Sequence, residues 1–101
     1  MKLLLITAIK EFEKNVKELL LHSGVKAFSY TPLKGFKDMS NNEVKENWFA
    51  SSMQESESVM FMVFSAEENV ALLFDKIGKF NDKQEFASKI HIASLSLEKT
   101  I

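Results

Sequence analysis

Arginine is missing from this chain: all thirteen of its basic residues are lysines. Without a guanidinium fork there is no bidentate grip on phosphate or carboxylate, and no arginine finger. Any anion must be held by lysine point charges and backbone N–H groups. Cysteine is missing too, which excludes disulfides, thiolate metal sites and a cysteine nucleophile. No basic block or acidic tail occurs. The net charge is −1 and lysine and glutamate are scattered along the chain, so no nucleic-acid footprint is visible. The apolar start "MKLLLITAIKEF" is too short to span a membrane, and "AIK" makes a poor cleavage site. It reads as a first strand, and the protein as cytoplasmic.

What is present is a core. Hydrophobic residues make up 46% of the 101 positions, too many for disorder and enough for one domain spanning 1–101. Lys2 to Ile9 is apolar on both faces if extended, as a central strand would be. From Glu11 to Ser23 the period becomes helical, with Phe12, Val16, Leu19 and Leu20 on one stripe. Gly24 follows as a left-handed stop. Val25 to Leu33 reads as a strand in which Pro32 is tolerated only near an edge or an end.

A mostly polar excursion then runs from Lys34 to Glu57. Its second half, "NWFASSM", is expected to pair with "SVMFMVF" across a turn at "QESE". Val59 to Phe64 is the most apolar run. Ser65 and Glu68 have capping-box spacing before a helix whose stripe is Val70, Leu73, Phe74 and Ile77, with Gly78 near its end. Lys89 to Leu97 is the last strand.

The order β-α-β-excursion-β-α-β predicts an α+β, ferredoxin-like βαββαβ fold, a four-stranded antiparallel sheet with two helices on one face. In that topology the first and third strands are central, and these are the two strands that are apolar on both faces. Two helices cover one face only. The third strand must therefore present Met60, Met62 and Phe64, or Val59, Phe61 and Val63, to the other. Neither set suits water, which predicts a homo-oligomer.

Val16-Lys17-Glu18-Leu19-Leu20, Gly24-Val25 and Lys34-Gly35-Phe36 resemble the nitrogen-regulatory PII signalling proteins. There a V-K-E-A-L helix passes through a Gly-Val turn into a strand ending V-K-G-F-G. The resemblance implies a homotrimer with a small-molecule site between subunits, commonly for ATP or ADP. It also implies a long T-loop that engages partners such as transporters and enzymes. On that reading Lys34, Gly35, Phe36, Lys37 and Asp38 form the base of the loop and meet the ligand, while the effector itself is unknown.

The chain also departs from the family. Lys37 stands where the family has glycine. The family's glycine-rich T-G-x-x-G-D-G-K-I-F loop, whose backbone and lysine grip phosphates, is replaced by "NDKQEFASKIHI". Asp38 to Glu57 has no tyrosine to accept a uridylyl group. The chain is similar to a divergent, non-catalytic PII-like regulator.

Other candidates are fewer. Trp48 and Phe49 are large aromatics in a polar segment, suited to docking a partner or to packing. His22, His91, Met39, Met53, Met60 and Met62 are the potential soft or imidazole ligands, but no His-x-His or His-x-x-x-His pair occurs. A metal-binding or metal-tolerance protein of the same trimeric architecture is the alternative. No nucleophile elbow, P-loop or paired-carboxylate motif appears. An enzyme of this fold would have to rely on His91.

Overall fold

The computed structural model describes residues 1–38, 53–85 and 88–101. The strands are β1 (Lys2–Ile9), β2 (Ser29–Asp38), β3 (Met53–Ser65) and β4 (His91–Ser96), and the helices are α1 (Glu13–His22) and α2 (Glu67–Asp82). A short 3-10 turn, Lys10–Phe12, leads into α1. The four strands form one antiparallel sheet in the order β2-β3-β1-β4. This is the βαββαβ fold expected, with β1 and β3 at the centre. Among the described residues no helix is long and apolar enough to cross a membrane.

Strand alternation sorts the side chains into two faces. Leu4, Ile6 and Ala8 of β1 and Val59, Phe61 and Val63 of β3 are buried against Val16, Leu20, Leu73 and Ile77 of the helices. Burying a residue such as Phe61, which is fully enclosed, contributes roughly 1.5–3 kcal/mol over leaving it in water. The alternate residues Leu3, Leu5, Met60, Met62, Phe64 and Leu95 lie on the face without helices. There Met62 is 42% exposed and Phe64 59% exposed.

Gly24 ends α1 at φ +90°. The Val25 N–H donates to the Leu20 carbonyl and the Gly24 N–H to that of Leu21, which is a Schellman stop. Val25 and Leu20 are both buried, so the stop also delivers the chain into the core.

Several local expectations are corrected. Ser65 does not cap α2: it stays in β3 opposite Lys2, and its hydroxyl donates to the Ala66 carbonyl. Ala66 is the cap residue, without a side-chain bond. Glu67 and Glu68 instead complement the positive end of the helix. Gly78 lies near the end of α2, as expected, four residues before Asp82.

The second strand is Ser29–Asp38 rather than Val25 to Leu33, and "QESE" is strand rather than turn. Lys34, Gly35, Phe36 and Lys37 pair with Glu57, Ser56, Glu55 and Gln54. Pro32 does not end the pairing because β2 is an edge strand, where its nitrogen can face away from β3. In "ESES" every second residue shares a face, so the glutamates lie on one side of this ribbon and the serines on the other. The predicted arm "NWFASSM" lies outside the described residues apart from Met53.

Lys17 ties α1 to the edge of the sheet. Its ammonium donates to the Tyr30 hydroxyl at 3.0 Å and to Glu13 at 3.1 Å. Tyr30 in turn stacks on Phe61, with centroids 5.3 Å apart. The Tyr30 hydroxyl, then Glu13, raise the Lys17 pKa, so the charged form is favoured by folding. That contribution is complete below the ordinary lysine value, about 10.4, and is lost as pH rises through the raised folded value. The stability gap between the parent and Lys17→Met, measured by urea unfolding, should hold from about pH 6 to 9 and narrow above roughly pH 10.4. A gap unchanged at about pH 11 contradicts the assignment.

Candidate functional site

Where the ribbon meets the open face of the sheet, the four strands create a cleft of about 390 Å³. Thr7 and Ile9 come from β1, Leu33 and Gly35 from β2, Ser56 and Ser58 from β3, Ser88 and Lys89 from the approach to β4, and His91 from its first residue. Register brings these distant residues together. Thr7 sits between Met60 and His91, and Ser58 between Leu33 and Ile9. Hydroxyls therefore ring one end of an otherwise apolar face.

Gly35 makes room for them. A Cβ at this position would lie 2.9 Å from Ser56 Oγ and 3.3 Å from Ser58 Oγ. Those two oxygens are themselves 3.4 Å apart. A side chain at position 35 would push the Ser56 hydroxyl aside, crowd that of Ser58 and enter the cleft.

The opposite wall is held by Asn81, in the last turn of α2. Its side-chain amide donates to the Ile90 carbonyl and accepts from the Ile90 N–H, both at 2.9 Å. This pair of hydrogen bonds imitates a step of a β-ladder just before β4 begins. Because Ile90 is thereby fixed with its side chain buried, Lys89 and His91 on either side of it are turned toward the cleft. Lys89 Nζ also donates to the Asn81 carbonyl at 3.3 Å, placing a positive charge at the negative end of α2.

The candidates from the sequence are distributed around this site. Gly35 lines the cleft. Lys34 and Phe36, its neighbours in an alternating strand, lie on the other face of the ribbon and are exposed, Phe36 by 62%. Lys37 and Asp38 are the last residues of β2, opposite Gln54 and Met53. Trp48 and Phe49 lie outside the described residues, as does Met39. His22 closes α1 and His91 opens β4. Among the described residues no three of His, Cys, Asp and Glu are grouped to hold a metal ion.

The hydroxyls of Thr7, Ser56, Ser58 and Ser88, and the Asn81 clamp, escaped sequence reasoning. The alternation in "ESES" was the one available signal for the two β3 serines.

Removing the clamp strands two backbone groups, each worth about 1–3 kcal/mol if left unpaired in the interior. Asn81→Ala should lower stability by roughly 2–6 kcal/mol in denaturant titration, toward the lower end where water reaches the freed groups, and speed exchange of the Ile90 amide hydrogen. Asn81→Asp, which keeps the acceptor, should retain more of that protection. Unchanged exchange in the alanine variant contradicts the clamp.

Scanned against protein-family models and against curated proteins, the sequence matches none. Solved structures do match. A nitrogen regulatory PII-like protein, CPII from Thiomonas intermedia K12, solved with ADP, AMP and bicarbonate, aligns at TM-score 0.63 and 19% identity, over 99% of this chain and 94% of its own. Its apo form aligns at 0.59 and 21% identity, over 93% and 89%. The GlnK–ATP complex of B. subtilis aligns at 0.63 and 12% identity, over 93% and 80%. The chain has the PII-like fold.

Proposed function

We propose that this protein is a non-catalytic PII-like regulator, acting in the cytoplasm as a homotrimer. A small effector occupies the cleft at Gly35, and the segment between β2 and β3 engages a partner protein, either an enzyme or a membrane transporter. The observation that carries this reading is the convergence of two separate segments on one cleft. The end of β2, with Gly35, and the approach to β4, with Lys89, meet beside an apolar face that needs covering. In the resemblance, these are the base of the T-loop and the end of the phosphate loop. The PII-like neighbours solved with ADP and AMP, and with ATP, support a nucleotide-sized effector.

The open face supports assembly. Leu3, Met62, Phe64 and Leu95 form adjoining apolar rows across β3, β1 and β4, a surface typical of an interface. Closing such faces around a symmetry axis would bring a neighbouring copy to the edge of the cleft. In this proposal Lys37 and Asp38 complete the loop base beside Gly35. Lys34 and Phe36 stand on the outer face of the ribbon, and together with Trp48 and Phe49 they meet the partner.

Titration calorimetry with adenine nucleotides and with divalent metals, followed by capture from a source lysate, tests the proposal. Saturable binding of a nucleotide and recovery of a defined enzyme or transporter are expected. Capture should be lost in Trp48→Ala/Phe49→Ala. Neither ligand nor partner in these assays overturns the functional reading.

A further inference from the structure

Of the two sets of side chains that β3 divides between its faces, the core takes Val59, Phe61 and Val63. Met60 and Met62 are left on the face without helices, Met60 half-buried and Met62 exposed. There the two methionines line one small pocket of about 80 Å³ together with Ser29, Tyr30 and Thr31. Register explains the grouping. Met62 is opposite Ser29 and Met60 is opposite Thr31, so two thioethers on β3 stand beside two hydroxyls on β2. We infer that this pocket is a site for a soft monovalent cation, Cu(I), held by the sulfurs of Met60 and Met62. It is separate from the cleft at Gly35 and does not depend on what occupies that cleft.

The spacing suits two-sulfur ligation. Residues two apart on a strand share a face, with Cα atoms about 6.6–6.8 Å apart. A linear sulfur–metal–sulfur unit with bonds of about 2.3 Å spans about 4.6 Å. Methionine is unbranched, with three rotatable bonds, so the two sulfurs reach this span without movement of the strand.

The donor type selects the ion. Thioether suits Cu(I), whereas imidazole is the usual partner of Zn(II) and Ni(II), and carboxylate that of harder cations. Among the described residues lining the pocket, the side-chain donors beside the thioethers are hydroxyls. The Thr31 hydroxyl donates its proton to the Pro32 carbonyl at 3.3 Å, so toward a cation it offers oxygen lone pairs. Charge works in the same direction. Thioethers and hydroxyls are neutral, and stripping water from an ion costs more as its charge rises. A weakly hydrated single charge therefore fits this apolar face better than a divalent ion does.

The test is anaerobic titration of the full chain with Cu(I) in competition with bicinchoninate, a chromophoric Cu(I) chelator. Calorimetry with Ag(I), Zn(II) and Ni(II) accompanies it. The parent should withdraw Cu(I) from the chelator and bind Ag(I), and X-ray absorption at the copper edge should show sulfur neighbours. Met60→Leu/Met62→Leu, which conserves volume and the apolar character of the face, should keep the parent's assembly state. Its affinity for Cu(I) and for Ag(I) should fall at least about tenfold, with any Zn(II) or Ni(II) binding unchanged. A parent chain that takes up neither Cu(I) nor Ag(I) overturns the inference. So does Cu(I) affinity unchanged in the double variant, or bound copper with nitrogen and oxygen neighbours only. An equal loss of Zn(II) binding overturns the selection of a soft ion. None of these results bears on nucleotide binding, so the proposed regulatory function is tested separately.

Discussion

A four-stranded sheet with helices on one side only leaves half of its side chains to be covered by something else. Here that second half is apolar: Leu3, Leu5, Met60, Met62, Phe64 and Leu95 share the face, and three of them are more than 40% exposed. β1 and β3 are the central strands, so their open-face residues lie in the middle of the surface rather than at its rim. Other features of the molecule are arranged around this uncovered face. The cleft lies at one of its ends, and the β2–β3 ribbon extends from the same end.

Within that frame, the chemistry of the cleft depends on close approach between strands. Gly35 lets the hydroxyls of Ser56 and Ser58 occupy space that any other residue would fill. Across the cleft, Asn81 uses its side chain as a substitute ladder partner for Ile90. A helix end and a sheet edge are thereby joined through one amide. That clamp fixes Ile90 just before β4 begins, and with it the neighbouring Lys89 and His91 that line the cleft.

Much of the fold was legible in the sequence because its signals are local. The two runs apolar on both faces marked β1 and β3 as central, helical stripes marked α1 and α2, and Gly24 marked the end of α1. The ribbon was less legible. "QESE" has turn-like composition, but pairing with Lys34 to Lys37 across the edge keeps it extended, and alternation between glutamate and serine reflects solvent on both sides. Ser65 was likewise drawn away from its capping role by pairing with Lys2. The cleft was the least legible part. Its residues come from four strands separated by long stretches of sequence and meet only through register. Lys34, Gly35 and Phe36, contiguous in sequence, alternate across the ribbon, and of the three Gly35 lines the cleft.

The uncovered face gives the account its most direct test. Sedimentation equilibrium of the ligand-free protein at low micromolar concentration should give three times the mass of one chain. Met62→Glu, which puts a charge in the middle of the open face, should shift the species toward monomer. A parent chain that sediments as a folded monomer under these conditions would contradict the account, because the apolar face would then be stable in water without a partner.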